Sequence, residues 1–198
     1  MPQPLVIAYH LIWTAYGWWL PNDPRGSGSE TVRNDIFEEL GTLHLGRKKV
    51  QPAGRVVREF YDQAADKLKH PLLKFDEAAV NVIADAFQEI VNRERYTCYA
   101  CAIMPDHVHL LIRRHRHKAE EMIDAFQEAS RDDLINARRR SVLHPVWGGP
   151  GWKVYLNTEE DMRRIERYIR NNPLKAGMAA QRWEFVRGYD GWLPERRR

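Results

Sequence analysis

The sequence predicts an α+β fold with a ferredoxin-like β-α-β-β-α-β core, an antiparallel sheet with helices on one face and a large insertion after the first strand. Three observations predict it. Short runs rich in β-branched and aromatic residues alternate with longer stretches of helical periodicity, in that order. The two middle strands are separated only by Pro105-Asp106, a tight turn that makes them antiparallel neighbours. Between the first strand and the first long helical stretch lies a segment of turn chemistry and short amphipathic pieces, with no internal repeat.

Taken in order, residues 6–14 read as the first strand. The segment Gly17-Trp18-Trp19-Leu20-Pro21-Asn22-Asp23-Pro24-Arg25-Gly26 breaks the pattern. Residues 18–73 are therefore read as an insertion, with brief helices over 34–40 and 57–67. Asp76 is placed to cap a helix reaching about Asn92, whose Ala79, Val82, Ile83, Ala86, Phe87 and Ile90 share a face. Strands follow over 96–104 and 107–114. A helix over 118–140 carries Met122, Ile123, Phe126 and Leu134 as its stripe, and a Gly- and Pro-rich loop ends it. Residues 152–156 form a short strand. Thr158, with Asp161 three residues on, resembles a capping box. That last helix is expected to stop at Asn172, because proline disfavours helix in the residue before it. The aromatic tail, with Trp183, Phe185, Tyr189 and Trp192, is expected to pack back on the body. The whole, 1–198, reads as a single domain, with 178–198 as its tail.

The composition narrows the function classes. The chain has 198 residues, 43% hydrophobic, with a net charge of +4. Bases cluster at Arg113-Arg114-His115-Arg116-His117-Lys118, at Arg138-Arg139-Arg140 and at the three C-terminal arginines. Such clustering permits nucleic-acid binding without specifying it. No apolar run approaches the ~20 residues of a membrane span, and no leader sequence is evident, so a cytoplasmic protein without membrane contact is expected. Cys98 and Cys101 lie three apart on a strand, hence on opposite faces, and read as two core thiols.

The chemistry concentrates in two segments. In His107-Val108-His109-Leu110-Leu111-Ile112 the alternation turns Val108, Leu110 and Ile112 to the helix-covered core, and His107 and His109 side by side to the other, open face. Two imidazoles there suit one divalent cation, with oxygen donors completing its shell. In Arg167-Tyr168-Ile169-Arg170-Asn171-Asn172, Tyr168 and Asn172 are four apart and project from one helical face, so a hydroxyl and an amide reach toward one point. A half-buried tyrosine anchoring the helix is the plainer alternative for that pair.

Together, Met104-Pro105-Asp106-His107-Val108-His109-Leu110-Leu111 and Tyr168-Ile169-Arg170-Asn171-Asn172-Pro173-Leu174-Lys175-Ala176-Gly177 resemble the single-tyrosine HUH transposases. This family includes the transposases of the smallest bacterial insertion sequences and the REP-associated tyrosine transposases. The pair Tyr9-His10 resembles the REP-associated branch, and the likeness spans about 5–14 and 76–177. Histidine-triad hydrolases would need a third histidine where Leu111 stands. The resemblance implies that His107 and His109 bind metal, that Asn172 is a third ligand and that Tyr168 is the nucleophile. Asp106 stands where many members have Asn and is expected to shape the turn, not to bind metal. The implied cofactor is Mg²⁺ or Mn²⁺, and the implied reaction is cleavage and rejoining of single-stranded DNA, beside a hairpin, through a 5′-phosphotyrosine. A phenol titrates near 10, so it needs activation, and the sequence names no base. Arg113, Arg114, Arg116, Lys118, Arg138, Arg139 and Arg140 are candidate phosphate contacts. Trp18, Trp19 and Trp147 are candidates for stacking on bases. The assembly is expected to be a monomer or a homodimer. Two rival readings are a domesticated hairpin-binding protein that no longer transposes and a metal-dependent phosphodiesterase with a water nucleophile.

Overall fold

In the computed structural model the described residues are 5–27, 40, 42, 44–46 and 48–195. They form β1 (Ala8–Thr14), α1 (Gly54–Ala65), α2 (Glu77–Glu94), β2 (Cys98–Ile103), β3 (His107–Arg113), α3 (Ala119–Asn136), β4 (Trp152–Leu156) and α4 (Glu159–Lys175). The sheet order is β2-β3-β1-β4 and every pairing is antiparallel. Leaving out α1, which belongs to the insertion, this is the ferredoxin-like connectivity. The short helix expected over 34–40 falls outside the described residues except for Leu40.

Helices α2 and α3 cover one face. Trp13, Phe87 and Phe126 meet at its centre, with ring centroids 5.7 Å (Trp13–Phe87) and 4.9 Å (Phe87–Phe126) apart. Each is essentially inaccessible to solvent, and full burial of one such side chain stabilises by about 1.5–3 kcal/mol. Val108, Leu110 and Ile112 join this core, as the alternation requires. Asp76 caps α2 by accepting from the Ala79 N–H at 2.8 Å.

The opposite face is not left open. Helix α4 lies across it, burying Met162, Ile165 and Ile169 against Ala8, Ala100, Ala102, Leu111 and Leu156. Thr158 caps α4 by accepting from the Asp161 N–H at 3.1 Å. The helix does not stop at Asn172 but runs through Pro173 to Lys175. Pro173 is buried and costs the ladder one N–H, while Ala176, Gly177 and Met178 donate back into the last turn until Gly177, at φ 73°, ends it. Helix α3 ends four residues before expectation, where Arg138 enters the left-handed region at φ 54°.

The cysteine expectation is corrected by a register shift between Cys98 and Ala100. Tyr99 and Ala100 both turn toward α4, so Cys98 and Cys101 share the α2/α3 core instead of opposing faces. Both are free thiols, and burial pushes both pKa values up. Described residues of the tail pack on the body. Gln181 donates to and accepts from the backbone of Ile103, Arg187 N–H donates to Cys98, and Tyr189 fills a space beside Tyr99. The insertion has its own small cluster of Leu20, Phe60, Tyr61 and Ala64. Among the described residues no helix is long and apolar enough to cross a membrane.

Candidate active site

On the α4 side of the sheet, His107 and His109 stand on one face of β3 with ring centroids 4.8 Å apart. Helix α4 brings Tyr168 to His109: the Tyr168 ring lies 5.4 Å from that of His109 at an interplanar angle of 80°. It also lies 6.1 Å from the ring of His10 on β1. Sequence periodicity placed the two histidines on one face and the tyrosine on a helix; the fold brings the two together.

Burial separates the two histidines. His107 is partly exposed, whereas His109 is only 5% exposed, so the expectation that both lie on an open face is corrected for His109. The covering helix is the physical cause. His109 Nδ1 lies 3.0 Å from His10 Nε2. His107 Nδ1 lies 2.6 Å from the Asp106 carboxylate. Asp106 therefore does more than shape the turn, since its bond to Nδ1 sets the ring and leaves Nε2 as the outward nitrogen. Burial opposes the Asp106 charge, but the hydrogen bond and charge of His107, with Arg25 beyond, outweigh it and hold the carboxyl below its usual range. Burial, with the Arg164 charge next, pushes His10 down to about 4.

Asn172 stands one turn beyond Tyr168 on α4. It makes no hydrogen bond to either histidine, and its buried Nδ2 has no partner among the described residues. Among the described residues no group of three or more His, Cys, Asp and Glu side chains is arranged to hold a metal ion. A cation here would depend on the two imidazoles, with the Asn172 amide and water or phosphate oxygens as the further donors.

The basic segments are not brought together. Arg113 ends β3 at the far end of the sheet from His107, with Arg114 and Arg116 beyond it. Arg114 and Arg116 line an open cleft of about 730 Å³ with Arg93, Arg95 and Trp192, and the Arg113 guanidinium stacks on Trp192 at 3.3 Å. Lys118 precedes α3 and is exposed. Arg138, Arg139 and Arg140 close the end of α3, where Arg139 lies 3.8 Å from Asp76 and Arg140 donates to the Lys74 carbonyl. Those two are engaged in holding the helix end, at the His107 end of the sheet but on its other side.

The aromatic expectations also change. Trp18 donates to the Leu73 carbonyl and packs on Tyr61, and Trp147 donates to Gln127 and packs on Trp13 and Phe75. Trp19 lies under the Arg25 guanidinium. Trp18 and Trp147 are packed against the core, and Trp19 is half-buried. A further aromatic that the sequence reading did not single out is Trp152, 44% exposed on edge strand β4. Its register partner is Ile12, and that of neighbouring Val154 is His10, so both look out on the site face. The alternation of β4 against β1 was the available signal, but it needs the register.

The site is thus a sheet carrying two strand histidines, met by a tyrosine from the helix laid over it. The chain belongs to the IS200-like transposase family: the model of that family, described as "Transposase IS200 like", matches residues 65–172. No curated protein matches the chain. Among solved structures it is similar to a REP-associated tyrosine transposase bound to a REP hairpin, at 10% identity and a TM-score of 0.46, covering 90% of this chain and 74% of that one. It is also similar to a Deinococcus radiodurans R1 protein described as a transposase, at 16% identity and a TM-score of 0.36, covering 91% and 97%.

Proposed function

We propose that this transposase cleaves and rejoins single-stranded DNA, beside a hairpin, with Tyr168 as nucleophile. The observation that carries the reading is the position of the Tyr168 ring, in T-shaped contact with His109 and His10. In the forward step the phenol oxygen bonds to phosphorus and the bond from phosphorus to the 3′-oxygen breaks. The phenol proton is lost and the 3′-oxygen gains one, leaving a 5′-phosphotyrosine and a free 3′-hydroxyl. The covalent bond keeps the phosphodiester energy, so another 3′-hydroxyl reverses the step without a nucleotide cofactor. His107, His109 and Asn172 would hold Mg²⁺ or Mn²⁺, which supplies charge withdrawal at a phosphate oxygen. Asp106 fixes the His107 ring. Arg164, one turn before Tyr168, and Lys175, 6.0 Å from its ring, give the site positive charge suited to a phosphate.

Incubation with a hairpin-bearing single-stranded oligonucleotide and Mn²⁺ should yield a protein–DNA adduct that survives denaturation and maps to Tyr168. Cleavage without an adduct would replace the tyrosine with a water nucleophile. Binding with no cleavage in any divalent metal would leave the domesticated hairpin-binding reading.

Two further expectations concern DNA contacts. Binding should weaken with salt, each neutralised phosphate on a single strand contributing about −0.7 to the slope of log affinity against log salt. Replacing Arg114 and Arg116 with Gln should flatten that slope by about 1.4. Replacing Arg138, Arg139 and Arg140 should flatten it less, because two of the three are held by Asp76 and Lys74. A slope unchanged by the Arg114/Arg116 pair would make their cleft a solvated surface. Secondly, Trp152→Ala should weaken single-strand binding by about 1–3 kcal/mol, the worth of one stacked base. Fluorescence anisotropy measures both, and unchanged affinity would remove Trp152 from the DNA path.

A further inference from the structure

His10 has no chemical role in the reading so far, yet it is the residue that joins the two halves of the site. It is 4% exposed, its Nε2 lies 3.0 Å from His109 Nδ1, and the two rings are tilted 33° with centroids 5.1 Å apart. The pair is diagonal across the strands, since Ile12 is the register partner of His109 and Leu111 that of His10. Two long side chains are needed to span that diagonal, and two imidazoles do so.

A hydrogen bond between imidazoles requires an N–H on one ring and a lone pair on the other, so the tautomers of His10 and His109 are linked. If Nδ1 of His109 donates, its Nε2 carries the lone pair that a cation needs. If His10 donates instead, the proton of neutral His109 sits on Nε2, where it excludes a cation. A ligating histidine is commonly fixed in this way by an acceptor on its other nitrogen. Asp106 is already such an acceptor for His107.

We propose that His10 is a positioning residue that accepts the His109 Nδ1–H and so presents the His109 Nε2 lone pair to a divalent cation. The inference rests on the metal-site reading above. It gives each of the two strand histidines its own partner: Asp106 from the turn for His107, and His10 from β1 for His109. It also places the edge of the Tyr168 ring against the same His10–His109 pair, so the orientation of the ligand and the seat of the nucleophile share one contact.

The test is Mn²⁺ affinity of the DNA-free protein, measured by titration calorimetry on the wild type, His10→Leu, His10→Gln and His109→Ala. His10→Leu removes the acceptor, and Mn²⁺ binding should weaken roughly 10–100-fold, the usual cost of losing such a partner. His10→Gln offers an amide oxygen near the place of Nε2 and should stay within about 3-fold of the wild type, a rescue that space filling alone would not give. His109→Ala should lose binding at least as severely as His10→Leu. Wild-type affinity in His10→Leu, with binding lost in His109→Ala, would overturn the role of His10 and leave the metal site standing. Equal loss in His10→Gln and His10→Leu would overturn the hydrogen-bond account. Wild-type affinity in His109→Ala would overturn the metal site itself. Should His10→Leu fail to fold, long-range ¹H–¹⁵N correlation of the wild-type histidine rings decides the matter: the proton of His109 is expected on Nδ1, and finding it on Nε2 would overturn the proposal.

Discussion

Tyr168→Phe is expected to abolish cleavage of hairpin-bearing single-stranded DNA, by at least about 10³-fold, as loss of a covalent nucleophile does. The substitution removes one oxygen and keeps the ring that packs edge-on to His10 and His109. Folding and DNA affinity should therefore stay close to wild type, with affinity within about 3-fold, a change of under ~1 kcal/mol. Single-turnover cleavage and anisotropy on the same oligonucleotide separate the two effects. Undiminished cleavage by the variant would remove Tyr168 as nucleophile. Tyr155, on the strand just before α4, would not inherit the role. It lies on the other side of β4, edge-on to Tyr9 at 5.6 Å, away from the histidines. The water-nucleophile reading would then take over.

His107→Ala and His109→Ala are each expected to lose metal-dependent cleavage, but with different structural costs. His107 is partly exposed and, among the described residues, hydrogen-bonds to a partly exposed Asp106, so its loss should hardly move the melting temperature. His109 is buried, and its removal leaves His10 Nε2 without its partner at a cost of about 1–3 kcal/mol. For a chain of this size that corresponds to a fall in Tm of roughly 2–12 °C. Thermal denaturation beside cleavage assays in Mg²⁺, Mn²⁺ and chelator checks both parts. Cleavage undiminished by chelator would count against a metal altogether. A large fall in Tm for His107→Ala would mean that the exposed histidine has a packing role that its surroundings do not show.

Backbone periodicity explains what could be read from the chain alone. Alternation along a strand fixed that His107 and His109 share a face and that Val108, Leu110 and Ile112 share the other. Helical spacing put Tyr168 and Asn172 on one side of a helix, and the order of the periods gave the ferredoxin-like core. Those are properties of a few consecutive residues, so no distant partner is needed to see them. Even here local rules failed where packing outweighed them. Pro173 did not stop α4, because its ring is buried and the last turn finds other donors. The one-residue irregularity at Tyr99 and Ala100 moved both cysteines to one core.

The tertiary structure decided everything that depends on register and on which face a helix covers. His10 meets His109 across 99 positions of sequence, on a diagonal that only the pairing of β1 with β3 defines. Laying α4 over the second face buried His109 and brought Tyr168 to it, which no property of either segment specifies by itself. The same is true of the bases: Arg113–Lys118 and Arg138–Arg140 look alike as charge runs, but the fold sends them to opposite ends of the sheet and ties two of the latter to a helix end. A local pattern records the direction in which a side chain leaves the backbone. The group it meets is set by contacts between segments, whose free energy comes from burying both together.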